Sequence, residues 1–258
     1  MRITILTLFP EMFNGFLENS IIKRALAKEV VSIDIVNIRD FTKDKYGRVD
    51  SAPVGGGAGL IMKCQPIVDC INSVKTNDSK VYLLSPKGET YSQAKAHELK
   101  ENVAHLILLC GHYEGVDERI NKYIDGEISI GDYILTGGEI GAMAISDSII
   151  RLIDGAITKE STEEETFENG LLEYPQYTEP YDFNGDKIPD ILYSGNHQAI
   201  AKWRQKQSLK LTRQFRKDLF DKYKLTKQDK ALLKEIDNGE VSNWEKDCLS
   251  KCKKFLKF

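Results

Sequence analysis

The sequence predicts an α/β domain on a largely parallel sheet, followed by a small all-helical domain. Three observations carry that prediction. Residues 1–38 read strand, helix, strand, the same alternation repeats to residue 153, and from residue 196 the composition turns lysine-rich, glycine-poor and helically periodic. Strands alternating with helices favour parallel neighbours whose faces the helices cover. The expected division is 1–155 for the α/β domain, 156–190 for a linker and 191–258 for the helical domain.

Residues 2–9 alternate and then run apolar, a buried strand, and Pro10 suits a first helical turn, where a missing N–H costs nothing. Phe13, Phe16, Leu17, Ile21, Ile22 and Leu26 recur at helical spacing, and the β-branched stretch 30–38 predicts a second strand. Residues 40–60 break the pattern. With four glycines between Val54 and Leu60 they predict a mobile loop. It is not a P-loop, because Gly-x-x-x-x-Gly-Lys-Ser/Thr is absent and Lys63 is followed by Cys64. Next come a helix over 61–74, a strand over 80–84, a polar helix over 91–100 and a strongly apolar strand over 103–110. A short helix over 115–123, a short strand over 127–130 and an amphipathic helix over 138–153 follow. The stretch 154–190 has no sustained period and holds Glu163, Glu164 and Glu165 with Pro175, Pro180 and Pro189, so it reads as a partly disordered linker. Beyond it Ile200, Trp203, Leu209, Leu211, Phe215 and Leu219 mark helices, with Trp203 expected in their core.

At 258 residues and 41% hydrophobic content the chain can bury a sizeable core. No apolar run approaches the ~20 residues that span a bilayer, and no basic-then-apolar leader precedes the first strand, which predicts a cytoplasmic protein without a membrane partner. Five scattered cysteines without CxxC spacing fit reduced thiols, and four histidines without HxxxH spacing give no metal site. The net charge of −3 is unevenly spread: residues 196–258 hold 17 Lys and Arg against 8 Asp and Glu, net +9, leaving 19 against 31, net −12, for residues 1–195. A basic tail on an acidic body suits a polyanionic partner, although a solvated lysine-rich helix face has the same composition.

The stretch SIGDYILTGGEI at 129–140 is the centre of the functional reading. Glycines this dense weaken a strand and exist where something approaches the backbone. Two further turns, at Ser85-Pro86 and at Gly111, also follow strand-like runs, so one pocket at the carboxyl ends of neighbouring strands is expected. No GxGxxG follows the first strand, where Phe9-Pro10-Glu11 stands, which argues against a dinucleotide enzyme.

The turns carry more than glycine. LTLFPEMF at 6–13, LLSPKG at 83–88, LLCGHYEGVDER at 108–119, SIGDYILTGGE at 129–139, GLLEYPQYTEP at 170–180 and SGNHQAIAKWRQKQS at 194–208 occur in that order. Together they closely resemble the bacterial tRNA (guanine-N1)-methyltransferases of the SPOUT class, which act at position 37 beside the anticodon. The resemblance implies a trefoil knot at the C-terminal part of the α/β domain, S-adenosyl-L-methionine as bent methyl donor, tRNA as substrate, a homodimer completing its active site from both chains, and a magnesium (Mg2+) dependence for which no cluster here defines a site.

Methylating guanine N1 requires a base for the N1 proton and a cation for the charge arising on O6. The resemblance puts Glu173 at the family's base position and Arg151 at its catalytic arginine. Taken alone, Glu173 is a solvated linker charge and Arg151 an i,i+4 partner of Asp147. It assigns Leu83, Leu84, Ser85, Pro86, Gly111, Tyr113 and Glu114 to the donor. Ile130, Gly131, Asp132, Tyr133, Ile134, Leu135, Gly137 and Gly138 join them, with His112 in the same turn. Asp50, Gly55, Gly56, Gly57, His197, Lys202 and Arg204 are expected on the tRNA side. One departure stands out: Tyr177-Thr178-Glu179-Pro180 has an anion where the family usually has arginine. The rival readings are a noncatalytic RNA-binding protein with a vestigial pocket, and a kinase-like enzyme using GGGAGL for phosphates.

Overall fold

The unbroken apolar run HLILLC becomes a strand with all six side chains buried, which requires neighbours on both edges and cover on both faces. In chain order the first part of the molecule runs β1 (Arg2–Thr7), α1 (Asn14–Leu17), α2 (Ser20–Ala27), β2 (Ser32–Asn37) and the two-residue strands β3 (Asp50–Ser51) and β4 (Ile61–Met62). It continues with α3 (Cys64–Val74), β5 (Ser79–Thr90), α4 (Gln93–Asn102), β6 (His105–Cys110), β7 (Gly126–Ser129) and α5 (Glu139–Ile150). This computed structural model describes residues 1–157, 166–239 and 241–252. The chain forms two compact units, Met1–Thr162 and Glu163–Phe258.

The first unit is α/β, as expected. Its five-stranded sheet has the order β2-β1-β6-β5-β7 and is parallel throughout. Period-two alternation sends Ile3, Ile5, Leu106 and Leu108 to one face, where Ile22, Ala96, Leu99 and Ile145 cover them. Leu6, Val81, Leu83, Ile107 and Leu109 point to the other, against Ile67, Cys70 and Ile71 of α3. Helices therefore shield both faces, and the carboxyl ends of β5, β6 and β7 open on one side.

Several expected elements change their bounds. The helix expected through 13–26 is broken: a 3-10 turn at Pro10–Phe13 leads into α1, and α2 starts afresh after Asn19, with Ser20 at φ 54°. Residues 61–62, read as helical, pair as β4 with β3, and the helix begins at Cys64. The short helix expected over 115–123 is a 3-10 turn, Glu118–Lys122.

Among the described residues of the second unit the α-helices are His197–Phe215, Lys217–Phe220, Lys227–Asn238 and Asn243–Cys252. Asn196 and Thr226 cap the first and third, the latter in a reciprocal box with Asp229. Trp203 is buried with Ile191, Ala199 and Cys248, so it is core. Leu171, from the stretch expected to be linker, is 1% exposed among Leu209, Leu232 and Leu233, and a hairpin pairs Asp182–Phe183 with Asp186–Lys187. From residue 166 the described part of that stretch thus packs within the second unit, whereas Ala156 belongs to the core of the first, and the acidic run at 163–165 lies outside the described residues.

Candidate functional site

Three segments build a cavity, a bulge within β5 and the turns at the carboxyl ends of β6 and β7, each leaving its strand for a different reason. β5 pairs with β7 through Leu84 and again from Glu89, so Ser85, Pro86, Lys87 and Gly88 bulge out between. Gly88 must be glycine there, because a Cβ would overlap the backbone of Glu127 and Ile128. β6 ends at Cys110 and turns through Gly111, His112, Tyr113 at φ 60° and Gly115 at φ 123°. β7 runs out into Gly131 at φ 140°, whose N–H donates to Ser129 Oγ at 3.2 Å, while Tyr133 OH donates to Ile130 O at 3.2 Å.

The second and third turns lie back to back. Gly138 N–H donates to Gly111 O at 2.9 Å, and His112 bridges Gly137. A Cβ on Gly138 would stand 2.8 Å from Cys110 Cα, so the two segments meet backbone to backbone. The resulting cavity is about 530 Å³.

Every residue assigned to the donor from the sequence lines this cavity, with the exception of Asp132. Asp117, Glu118, Asn121 and Gly141 line it too and were not anticipated, as do Lys87, Ser129 and Thr136, which lie within the expected turns but were not singled out. The signal for Glu118 and Asn121 was their place three and six residues, one and two 3-10 turns, beyond the glycine turn at 111–115. Lys87 Nζ lies 2.9 Å from Glu118 Oε2 and 3.6 Å from Glu127 Oε1, joining the β5 bulge to that turn. The Arg119 guanidinium holds the Asp117 carboxyl well below the usual range. Glu139, the first residue of α5, is buried and accepts a 2.7 Å bond from Thr7 Oγ1. Burial, reinforced by that carboxylate, pushes the Cys110 thiol far up, so Cys110 is a core residue and no nucleophile.

The glycine loop reaches the cavity only by its far end. Gly55 and Gly56 are exposed at positive φ with open space around them, and Gly57 approaches Pro53 alone. Asp50 opens β3, opposite Met62. Leu60 O and Met62 N–H are hydrogen-bonded to Glu114 N–H and Gly115 O at 3.0 and 2.9 Å, which fastens the loop's end to the cavity turn.

Arg151 caps the C-terminus of α5, its N–H donating to Asp147 O at 3.0 Å. Glu173 belongs to the second unit, where its N–H donates to Thr166 Oγ1 at 3.0 Å and its carboxylate accepts from the Gln176 amide. Glu173, Tyr174 and Arg204 line a small cavity of about 110 Å³ there. The Arg204 guanidinium lies 4.5 Å from the Tyr174 ring centroid, and Lys202 Nζ 4.4 Å from that of Trp244. His197 is exposed at the start of its helix, and Glu179 accepts from Tyr193 OH at 2.9 Å. Among the described residues no group of three or more His, Cys, Asp or Glu is placed to hold a metal ion, and no helix is long and apolar enough to cross a membrane.

Residues 1–222 match the sequence model of the family described as tRNA (Guanine-1)-methyltransferase TrmD. A protein from Malacoplasma penetrans named tRNA (guanine-N(1)-)-methyltransferase is 58% identical over 223 residues, covering 86% of this chain and 98% of its own. Bearers of the same name from Clostridium botulinum strain Langeland and from Clostridium kluyveri are 55% and 53% identical over 239 and 241 residues. Those alignments cover 92% and 93% of this chain and 99% and 98% of theirs.

Proposed function

Since this chain belongs to the tRNA (guanine-1)-methyltransferase family, we propose that it transfers a methyl group from S-adenosyl-L-methionine to N1 of guanine 37 in tRNA, as a cytoplasmic homodimer. The observation that carries the donor assignment is the cavity of about 530 Å³ between three turns at parallel strand ends. It falls in the ~300–1,000 Å³ range of small-molecule sites, has Leu83, Leu84 and Ile130 for an apolar part of a ligand, and brings exposed backbone groups of glycine turns to its wall. The back-to-back turns at 111–112 and 137–138 support the knotted threading expected for residues 1–155. Around the same loop Tyr133, Ile134 and Ile140 are 54%, 83% and 51% exposed, a surface that a second copy would cover.

The bound donor supplies an electrophilic methyl on a sulfonium, so the protein needs no nucleophile of its own. Glu173 takes the N1 proton and Arg151 holds the charge developing on O6. The target guanine must leave its stack to reach these groups. Residues 191–258 serve as the helical tRNA-binding part, with His197, Lys202 and Arg204 near phosphates, in keeping with the net +9 of residues 196–258. Asp50, Gly55, Gly56 and Gly57 are the further residues that meet the substrate.

The test is methylation of bulk tRNA with nucleoside analysis, beside calorimetry with S-adenosylmethionine and ATP. The expected result is 1-methylguanosine and binding of S-adenosylmethionine alone. Affinity for tRNA without donor binding would favour a noncatalytic RNA-binding protein, and ATP binding would favour a kinase.

A further inference from the structure

The His112 ring stands in the cavity wall with its plane tilted against Phe9 at 4.7 Å between centroids and edge-on to Tyr113 at 4.8 Å. Its Nδ1 is buried and has no hydrogen-bond partner among the described residues. An unpaired nitrogen of this kind is costly, and native proteins seldom tolerate one without a role for it. A complement is within reach. Glu139 is 2% exposed, and its Oε1 is engaged by Thr7 Oγ1, which in turn accepts from Phe9 N–H at 2.9 Å. A Cβ on Gly137 would overlap Glu139 Oε2 and stand 2.6 Å from His112 Nδ1, so oxygen and nitrogen both border the space that this side chain would fill. Gly137 has no positive φ to explain it. What its missing side chain leaves is space for these two groups to converge.

We propose that the Glu139 carboxylate accepts a hydrogen bond from His112 Nδ1–H across Gly137 and so fixes the ring as its Nδ1–H tautomer, leaving Nε2 as an acceptor for an N–H or O–H of the methyl donor. The proposal rests on the donor reading of the cavity. A carboxylate this buried needs a donor beyond one hydroxyl, and the imidazole supplies it. Which ring nitrogen carries the proton is set by the partner of the other, so Glu139 acts through His112 as a positioning residue. The link joins the end of β1, the turn after β6 and the start of α5.

The test is the 15N spectrum of the imidazoles in the full-length, ligand-free protein at mildly alkaline pH, with His112→Asn assigning one signal among four histidines. The expected result is the Nδ1–H tautomer in the native protein and a shift toward the other tautomer in Glu139→Gln. Gly137→Ala, which keeps both side chains but fills the space between them, should give the same shift even if Glu139→Gln does not fold. Glu139→Gln should raise the KM for S-adenosylmethionine about tenfold, the worth of one hydrogen bond, with the KM for tRNA little changed. An Nε2–H tautomer or an imidazolium in the native protein, or no change in both variants, overturns the proposal. A protein that shows the tautomer yet binds no S-adenosylmethionine overturns the donor reading of the cavity and leaves the Glu139–His112 link standing.

Discussion

Gly138 and Gly111 face each other across one 2.9 Å hydrogen bond, but their tolerance of a side chain differs sharply. A Cβ on Gly138 meets Cys110 Cα at 2.8 Å and Gly111 N at 3.1 Å, backbone that cannot swing aside. On Gly111 it would meet Val116 Cγ2 at 3.5 Å, an ordinary contact. Gly138→Ala should therefore cost about 1–3 kcal/mol and abolish donor binding, while Gly111→Ala should stay within about 1 kcal/mol. Thermal melts with donor calorimetry check both. The sequence treats these glycines alike, because only the fold shows which of them another backbone touches. A second residue-scale prediction concerns the proton. Glu173→Gln keeps the bond to Gln176 possible but cannot accept a proton, so single-turnover methylation at saturating donor and tRNA should slow ~100 to 10,000-fold, with affinities retained. Arg151→Ala should slow the same step. A native rate for Glu173→Gln would pass the role to another carboxylate, Asp182 first.

At the scale of elements, His105 ties three strands at their amino ends. Its Nε2 is 2.8 Å from Thr4 Oγ1 and its Nδ1 2.7 Å from Ser79 Oγ, and burial, with Arg2 nearby, lowers its pKa. With the folded pKa depressed, the unfolded chain binds the extra proton first. The contribution is therefore complete above about pH 6.5 and is lost as pH falls through the folded value. Urea unfolding should show stability falling below about pH 6.5, with a shallower slope in His105→Gln. The elements legible from sequence were those that local pattern dictates: β6 from its apolar run, α3 from its period, the turns from glycine and proline, whereas α5, expected as amphipathic over 138–153, is apolar nearly all round and ends at Ile150. β4 was misread because Ile61 and Met62 are strand only through distant partners, Asp50 and Ser51 in β3 and the Gly115 carbonyl. The broken helix over 13–26 escaped notice because Ser20 at φ 54° gives no signal in a helical apolar pattern. In the site the same limit applies: the glycine turns announced the cavity, whereas Lys87, Glu118 and Asn121 enter it through the β5 bulge and the turn after Val116.

For the whole molecule, composition placed the change of character near 190, but Leu171 packs under Leu209 and Leu232 within the second unit, whose boundary is at Glu163. A chain ending at 162 should melt cooperatively and bind donor, and one ending at 190 should be less soluble, because Leu171 and Ile188 would lose their cover. Both should lose most tRNA affinity and its steep salt dependence, read by filter binding across a salt series. The sheet order has a further consequence, in time. Arg2 to Leu6 of β1 pair with His105 to Leu109 of β6, so the inner edge of β1 has no partner until the ribosome has added about a hundred further residues. At about 5–20 residues per second that is roughly 5–20 s, during which the nascent chain carries Ile3 and Ile5 beside an open strand edge. Translation speed and holding chaperones should therefore weigh more on the yield of this protein than its final stability does.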